Sequence, residues 1–477
     1  MYRKPITLCA LFLAFLLAPS LMPESAAQVT TPRLNFRERK LDNGLRLLSA
    51  ADHSSPTVAI QVWYHVGSKD DPVRRSGFAH LFEHIMFKST RNMPSEMIDR
   101  LTEDVGGFNN AFTADDVTVY FEVVPSNYLE TLLWAEADRL SGLNIDDQNF
   151  KSERDVVKEE FRQRILAPPY GRLFYLIEQK SFTKHPYQRP GIGSIEDLDA
   201  ASLADVREFH STFYRPDNVT LVVVGDFDQK QLDAWVDKYF GPIPKPDRPL
   251  PRVTVKEPSR SAEKRFVEYG QNVPLPAVAM TYLTPAKSDP DADALKVAEA
   301  ILSSGDSSRL YHSLVYEQQI AQEAFGQSDL REDLGLFVLG AILASDKKPE
   351  EAERALLAEI KKMQDSPVST AELEKAKNQI ITNQVRERET SNGKALALGE
   401  AAVLFGDPNR VNTDLARLQA VTAADVQRVM KKYFMDANRL VLHYLPESAR
   451  TEKPAAEKTG THQTQTGQHS TWGGRAQ

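Results

Sequence analysis

An internal repeat limits the folds open to this chain of 477 residues more than any other feature of its sequence. A β-strand pattern at residues 56–64 returns 220 positions later at 276–282. Far downstream, the tripeptide Ala-Asp-Val at 204–206 returns at 424–426 with the same offset. Because one offset holds at both ends of a long segment, the sequence predicts two homologous halves.

The predicted halves span residues 32–245 and 262–450, and a proline-rich linker at 246–261 joins them. Within each half, strand patterns and amphipathic helical patterns occur in a mixed order. This order is typical of helices that cover a mainly antiparallel sheet. The predicted fold class is therefore α+β, built from two homologous α/β-sandwich halves. Residues 451–477 contain almost no apolar side chains, and a disordered tail is predicted there.

The first 27 residues have the three-part pattern of a secretory signal peptide. A positively charged start precedes the apolar run Ile6–Ala18, and the small residues Ser25–Ala27 offer a cleavage site. The run is too short to span a bilayer comfortably, although an uncleaved N-terminal anchor is the alternative. The single cysteine, Cys9, lies inside the run, so the mature chain would have none. An exported chain without cysteine suits an oxidising compartment such as a bacterial periplasm.

The composition excludes several classes of protein. Hydrophobic residues form 41% and charged residues 26% of the chain, which is ordinary for a globular protein and unlike a disordered or fibrous one. The net charge of −8 gives no basic surplus for binding nucleic acid. The one long apolar run is N-terminal, so neither a polytopic membrane protein nor a stable membrane anchor is predicted.

The sequence His80-Leu81-Phe82-Glu83-His84 carries the first sign of catalytic chemistry. On a helix, His80 and His84 lie on one face and can bind one metal ion. Glu83 points to nearly the same face and can activate a water without being a ligand. This spacing inverts the His-Glu-x-x-His arrangement of many zinc peptidases. The alternative is a helix with two surface histidines and a salt-bridging glutamate.

A catalytic zinc site needs a third protein ligand. The helical pattern over residues 148–165 places Glu153 and Glu160 on one face with Val156 and Val157. Carboxylates on an apolar stripe are costly unless a cation pairs with them. The pattern leaves the third ligand open between the two glutamates, with an ordinary charged surface as the alternative. Two histidines and a glutamate favour Zn²⁺ over magnesium or calcium.

Seven segments carry a family resemblance that covers nearly the whole mature chain. They are Leu41–Leu45, Gly77–Lys88, Asn110–Thr113, Glu153–Glu160, His185–Tyr187, Phe213–Asn218 and Val224–Asp226. Together they resemble the insulinase/pitrilysin family of zinc peptidases, and within it the short bacterial class similar to mitochondrial processing peptidase subunits. The resemblance implies a clam-shell arrangement of the two halves and a tendency to dimerise.

The resemblance also implies roles for individual residues. His80, His84 and Glu160 would be the ligands of one Zn²⁺ per chain, which favours Glu160 over Glu153 as the third ligand. Glu83 would be the general base, and Glu153 would be an acidic neighbour of the site.

A substrate-binding strand is implied next to this site. In the family, the segment that matches Asn110 and Ala111 holds peptide substrates as an added β-strand, which gives affinity with limited sequence demand. The alternative for Asn110 is a turn residue beside Gly106 and Gly107.

The second half departs from the family pattern. At the offset of 220, the zinc-binding positions fall on Ala300, Ser303 and Ser304, so no second zinc site is predicted. Self-sufficient family members place an arginine and a tyrosine near the oxyanion, and here these positions are matched to Tyr316 and Gln322. Tyr316 and Gln322 are therefore candidates for contacting the oxyanion or the substrate. The mismatch predicts a second family subunit that supplies the missing pair, and a heterodimer is favoured over a homodimer.

The predicted function is zinc-dependent endopeptidase activity on peptides or unfolded polypeptide segments. Two alternatives remain open, namely a non-catalytic or chaperone-like family subunit and a processing peptidase that cuts one specific site.

Overall fold

A computed structural model of the protein describes residues 32–450. The predicted signal peptide at 1–27 and the predicted tail at 451–477 lie outside the described residues. In the described range, every helix is too short or too polar to cross a lipid bilayer.

The first sheet has six strands in the order β1-β2-β6-β3-β5-β4. Their bounds are β1 Arg37–Lys40, β2 Arg46–Ala51, β3 Thr57–Tyr64, β4 Phe108–Thr113, β5 Thr118–Pro125 and β6 Val219–Gly225. All neighbouring strands are antiparallel except β2 and β6. The valine-rich β6 is buried along its whole length, as expected for a central strand that is covered on both faces. β4 forms one edge of the sheet.

The second sheet has five strands in the order β7-β11-β8-β10-β9. Their bounds are β7 Lys264–Gly270, β8 Ala277–Thr284, β9 Ala321–Asp329, β10 Gly335–Leu343 and β11 Arg439–Pro446. Without β1, the first sheet has the same strand order and the same single parallel pair. The mixed α/β fold with two homologous halves is therefore confirmed. The exact domain boundaries and the dimerisation stay predictions.

Eight helices belong to the first half: α1 Phe78–Ile85, α2 Met97–Glu103, α3 Leu129–Gly142, α4 Asp147–Phe161, α5 Gly171–Ser181, α6 Ile195–Asp199, α7 Leu203–Phe213 and α8 Gln229–Tyr239. Six belong to the second half: α9 Ala292–Ser303, α10 Pro349–Asp365, α11 Thr370–Glu387, α12 Ser391–Val403, α13 Asp414–Gln419 and α14 Ala423–Tyr433. In the first half, α1, α3, α4, α7 and α8 bury one face of the sheet. In the second half, α9, α10, α11 and α14 do the same.

Each sheet buries its other face against a helix from the opposite half. α12 lies on β3 and β6 of the first sheet, where Leu398 and Ala402 pack among Trp63 and Val222. α5 lies on β8 and β11 of the second sheet, where Leu173 packs in the same way. The two helices begin 220 positions apart. Each half thus covers the free face of the other half's sheet with one of its own helices, and we call this arrangement the reciprocal exchange of helices.

The fit between α12 and the first sheet is close at Gly399. A Cβ atom at this position would lie 2.3 Å from the Trp63 indole ring. Glycine is unfavourable inside helices, so its presence here reflects the packing of the helix on the tryptophan.

The segment at 246–261 has no helix or strand, yet it is bound to both halves. The Glu257 carboxylate accepts hydrogen bonds of 2.8 Å from the backbone N–H groups of residues 183–185. The Arg260 guanidinium donates to the backbone carbonyl of Thr281 at 2.8 Å. These bonds fix the segment along the surface of both halves.

A buried ionic cluster joins the halves at the tips of two hairpins. The Lys69 ammonium, 6% exposed, lies 2.9 Å from Asp116 in the β4–β5 turn. It also lies 2.6 Å from Glu332 and 3.1 Å from Asp333 in the β9–β10 turn. Burial opposes the charge of Lys69, but these carboxylates outweigh it and raise its pKa above the usual value. Nearby, buried Arg331 lies 3.1 Å from an Asp115 carboxylate oxygen.

Removing this buried cation should weaken the whole protein. In Lys69→Met, Asp116 stays buried without its cation, and we expect the free energy of unfolding to fall by about 3 kcal/mol. Urea unfolding would measure this loss. Lys361→Met is the matched control because Lys361 pairs with Asp365 at the surface and is 66% exposed. The control should stay within about 0.5 kcal/mol of the parent, and an equally small loss for Lys69→Met would contradict the prediction.

Candidate metal centre

The helix α1, which carries His80 and His84, begins where Gly77 packs closely against another glycine, Gly193. Gly77 precedes α1 with φ of 92°, and a Cβ atom there would lie 3.1 Å from the Cα atom of Gly193. The buried Asp71 carboxylate accepts hydrogen bonds from the N–H groups of Gly77 at 2.6 Å and Ala79 at 2.9 Å. These bonds satisfy backbone donors at the start of α1 and fix its position.

Two helices bring together three side chains that could hold a metal ion. His80 and His84 lie one turn apart on α1, with ring centroids 5.0 Å apart. α4 packs against α1 and brings Glu160 close to both imidazole rings. The Glu160 Oε2 atom lies 3.4 Å from the Nε2 atom of each histidine. One donor atom from each of the three residues lies within 4.8 Å of the other two. We call these three residues the triad.

The polar atoms of the triad suit a metal ion. The buried Nδ1 atom of His80 and the buried Oε2 atom of Glu160 have no hydrogen-bond partner. A buried polar atom without a partner is costly, so a bound cation would remove a penalty at Glu160. Two imidazoles and one carboxylate are a frequent protein ligand set for zinc. The residues present therefore fit Zn²⁺.

The two histidines differ in charge near neutral pH. Burial and the neighbouring His84 lower the pKa of His80 to about 4. Burial also opposes the charge of His84, but the carboxylates of Glu153 and Glu160 outweigh it and raise its pKa to about 9. His80 is thus neutral, whereas His84 would have to release a proton to bind a metal.

Glu153 contacts the other nitrogen of His84. Its Oε2 atom lies 3.7 Å from the Nδ1 atom of His84, and its Oε1 atom lies 3.0 Å from the Lys88 ammonium. The Ser152 hydroxyl also donates to Glu153 at 3.0 Å. The geometry thus groups Glu160 with both histidines and places Glu153 beside only one of them. A carboxylate in this position can orient the imidazole ring.

Glu83 lies next to the triad and contacts the edge strand. The Thr113 hydroxyl, at the end of β4, donates to the Glu83 Oε2 atom at 2.6 Å. Burial raises the pKa of Glu83 above its usual value. A carboxylate with a raised pKa is a better proton acceptor than an exposed one.

Asn110 and Ala111 lie on β4, which has a free edge. The Ala111 N–H donates to the Asn110 side-chain oxygen at 2.8 Å. This bond satisfies a backbone N–H group that would otherwise be unpaired at the exposed edge of the sheet.

The two predicted residues of the second half are both exposed. Tyr316 is 71% exposed and its ring contacts His312. Gln322 is exposed near the start of β9. Over residues 32–450, no hydrogen bond or ion pair connects either side chain to the triad.

Sequence reasoning gave no role to four residues that contact the site, namely Ser152, Thr113, Lys88 and Arg164. The Arg164 guanidinium lies 2.7 Å from the Glu160 Oε1 atom. Arg164 follows Glu160 by four positions, a spacing typical of ion pairs on helices, and this signal was available. Thr113 and Lys88 lie in segments of the family resemblance, but no local spacing predicts their contacts, which depend on the packing of separate elements.

Comparisons with known proteins place the chain in a family of peptidases. Residues 46–193 match the family described as insulinase, peptidase family M16. Residues 200–380 match the family described as the peptidase M16 inactive domain.

Individual relatives agree with this assignment. The zinc protease PqqE of Helicobacter pylori is 30% identical over 85% of this chain and 92% of its own length. A probable β subunit of mitochondrial processing peptidase from Arabidopsis thaliana is 24% identical over 84% of this chain and 76% of its own. The crystal structure of a protease from Helicobacter pylori aligns with a TM-score of 0.84 and 28% identity, and covers 87% of this chain and 100% of that one. The chain belongs to the M16, or insulinase, family.

Neutralising Glu160 should remove the metal. In Glu160→Gln we expect the zinc content of the purified protein to fall from one equivalent to below about a tenth, because an amide oxygen carries no charge for the cation. Elemental analysis after dialysis would measure it. Glu159→Gln is the matched control, since Glu159 is exposed and pairs with Arg162. Equal zinc contents in the two variants would contradict the prediction that Glu160 binds the metal together with His80 and His84.

Proposed function

We propose that the chain is a zinc-dependent endopeptidase that hydrolyses peptides or unfolded polypeptide segments. The observation that carries this proposal is the convergence of His80, His84 and Glu160, with Glu83 beside them. Membership of the M16 family, whose relatives include a named zinc protease, supports it.

The triad would hold one Zn²⁺ per chain. When bound, this ion acts as a Lewis acid that polarises the scissile carbonyl and lowers the pKa of a water. Two neutral imidazoles and one carboxylate leave the site with a net positive charge, which favours the negative charge that develops on the substrate.

Glu83 would move the proton. Its carboxylate accepts a proton from the attacking water and then returns it to the leaving amine. The Thr113 hydroxyl holds one carboxylate oxygen, so the other is free for this task. Thr113 belongs to β4, so the base is fixed relative to the strand that would bind substrate.

The free edge of β4 would bind the substrate backbone. An extended peptide can add to this edge as a further strand, with main-chain hydrogen bonds that demand little of its sequence. Asn110 would turn away from Ala111 during binding and release the Ala111 N–H to the peptide. Only an extended segment can pair in this way, so peptides and unfolded regions are the expected substrates.

A non-catalytic role is the second candidate because part of the chain matches the M16 inactive domain. The matched residues, 200–380, include none of the triad and do not include Glu83. Those four residues fall within 46–193, which matches the insulinase family. The pattern supports a division in which the first half is catalytic and the second is not.

The proposal extends to a partner and to a location. Tyr316 and Gln322 stand where self-sufficient family members have an arginine and a tyrosine, and this mismatch supports a second family subunit that supplies the pair. The signal-peptide pattern at residues 1–27 supports export to a periplasm.

Replacing the base should separate catalysis from metal binding. In Glu83→Gln we expect hydrolysis of a mixed quenched-peptide pool to fall by at least about 1,000-fold, because proton transfer is lost. The zinc content should stay at one equivalent. Glu103→Gln, which changes an exposed carboxylate on α2, is the control. Undiminished cleavage by Glu83→Gln would exclude Glu83 as the base, and no cleavage by the zinc-loaded parent would favour a paired subunit.

Blocking the strand edge should weaken substrate binding alone. In Ala111→Pro the edge loses one N–H donor, and one hydrogen bond of about 1 kcal/mol predicts an increase in KM of about fivefold. Proline is tolerated on edge strands, so zinc content and the urea midpoint should remain those of the parent. An unchanged KM in a folded, zinc-loaded variant would show that substrate does not pair at this edge.

A further inference from the structure

Arg164 contacts the triad from a turn that follows α4. This turn, Arg162–Leu166, has π-helical geometry, which is frequent at functional sites. The Arg164 Nη1 atom lies 2.7 Å from Glu160 Oε1, while the side chain is 70% exposed. Two positions earlier, Arg162 makes a similar pair with Glu159 at 3.1 Å, away from the triad.

The two oxygens of Glu160 have different surroundings. Oε1 is paired with Arg164, whereas Oε2 lies 3.4 Å from both imidazole Nε2 atoms and has no hydrogen bond. The terminal torsion of a glutamate is soft, so an unpaired carboxylate would rotate and exchange its oxygens. The ion pair holds one oxygen and leaves the other directed at the histidines.

We propose that Arg164 is a positioning residue of the metal centre, which orients Glu160 so that Oε2 binds the metal. This inference rests on the proposed function because it takes Glu160 as a ligand. Groups that orient metal ligands commonly set metal affinity without touching the metal. Arg164 makes a single contact, from Nη1 to Oε1, and so holds one of the two carboxylate oxygens.

Because Arg164 is exposed, its effect on zinc affinity should depend on salt. An ion pair at the surface is screened by salt, whereas contacts inside the packed triad are screened much less. The contribution of Arg164 to zinc affinity should therefore shrink as ionic strength rises. A contribution from the apolar packing of the Arg164 stem would not show this dependence.

The experiment measures zinc affinity in the full chain by competition with a fluorescent chelator. In Arg164→Gln we expect zinc to bind about 10- to 100-fold more weakly than in the parent. Arg164→Lys should recover part of the loss because it keeps the positive charge. Arg162→Gln, the matched control in the same turn, should remain within about twofold of the parent because its partner Glu159 lies outside the triad.

Salt then separates the effect of the ion pair from that of side-chain packing. Between about 50 mM and about 500 mM NaCl, the ratio of zinc affinities between the parent and Arg164→Gln should fall severalfold. A ratio that does not change with salt would overturn the proposal, as would an Arg164→Gln affinity within twofold of the parent. Both results would leave the proposed function standing if the parent binds one zinc. A parent that binds no zinc would overturn the proposed function itself.

Discussion

The reciprocal exchange of α5 and α12 is the constraint on which the rest of the structure depends. A sheet in this protein has two apolar faces, and the helices of its own half cover only one of them. The second face of each sheet is buried by a helix of the other half. The halves therefore belong to one compact unit and share their cores. Separation of the halves would expose two apolar faces at once.

This shared core lets the second half, which contains no residue of the triad, support the candidate site in the first half. The triad, Glu83 and the β4 edge all belong to the first half, on α1, α4 and β4. The second half contributes α12 beneath the first sheet and the β9–β10 turn that holds Lys69. Lys69 also pairs with Asp116 in the turn that follows β4. The second half thus supports the strand that fixes Glu83 through Thr113.

Much of the fold and part of the site could be predicted from the sequence because they depend on local periodicity. The offset of 220 anticipated two homologous halves, and the spacing of His80 and His84 anticipated a shared helix face. The helical pattern over 148–165 corresponds to α4 followed by the turn at Arg162–Leu166. The exchange of helices was not predicted, because an apolar helix face does not reveal which sheet it covers. The Lys69 cluster joins residues that are far apart in the chain, and no local pattern encodes it.

The exchange of helices also determines when the protein can finish folding. The face of the first sheet that includes Trp63 is complete once β6 has been made, but its cover, α12, lies far downstream. During synthesis this apolar face remains exposed to solvent until most of the second half has left the ribosome. A nascent chain with such a face needs either protection from aggregation or a delay in folding until its C-terminal helices arrive. Long-range closure of this kind also makes folding slow, because distant segments must meet before either sheet is stable.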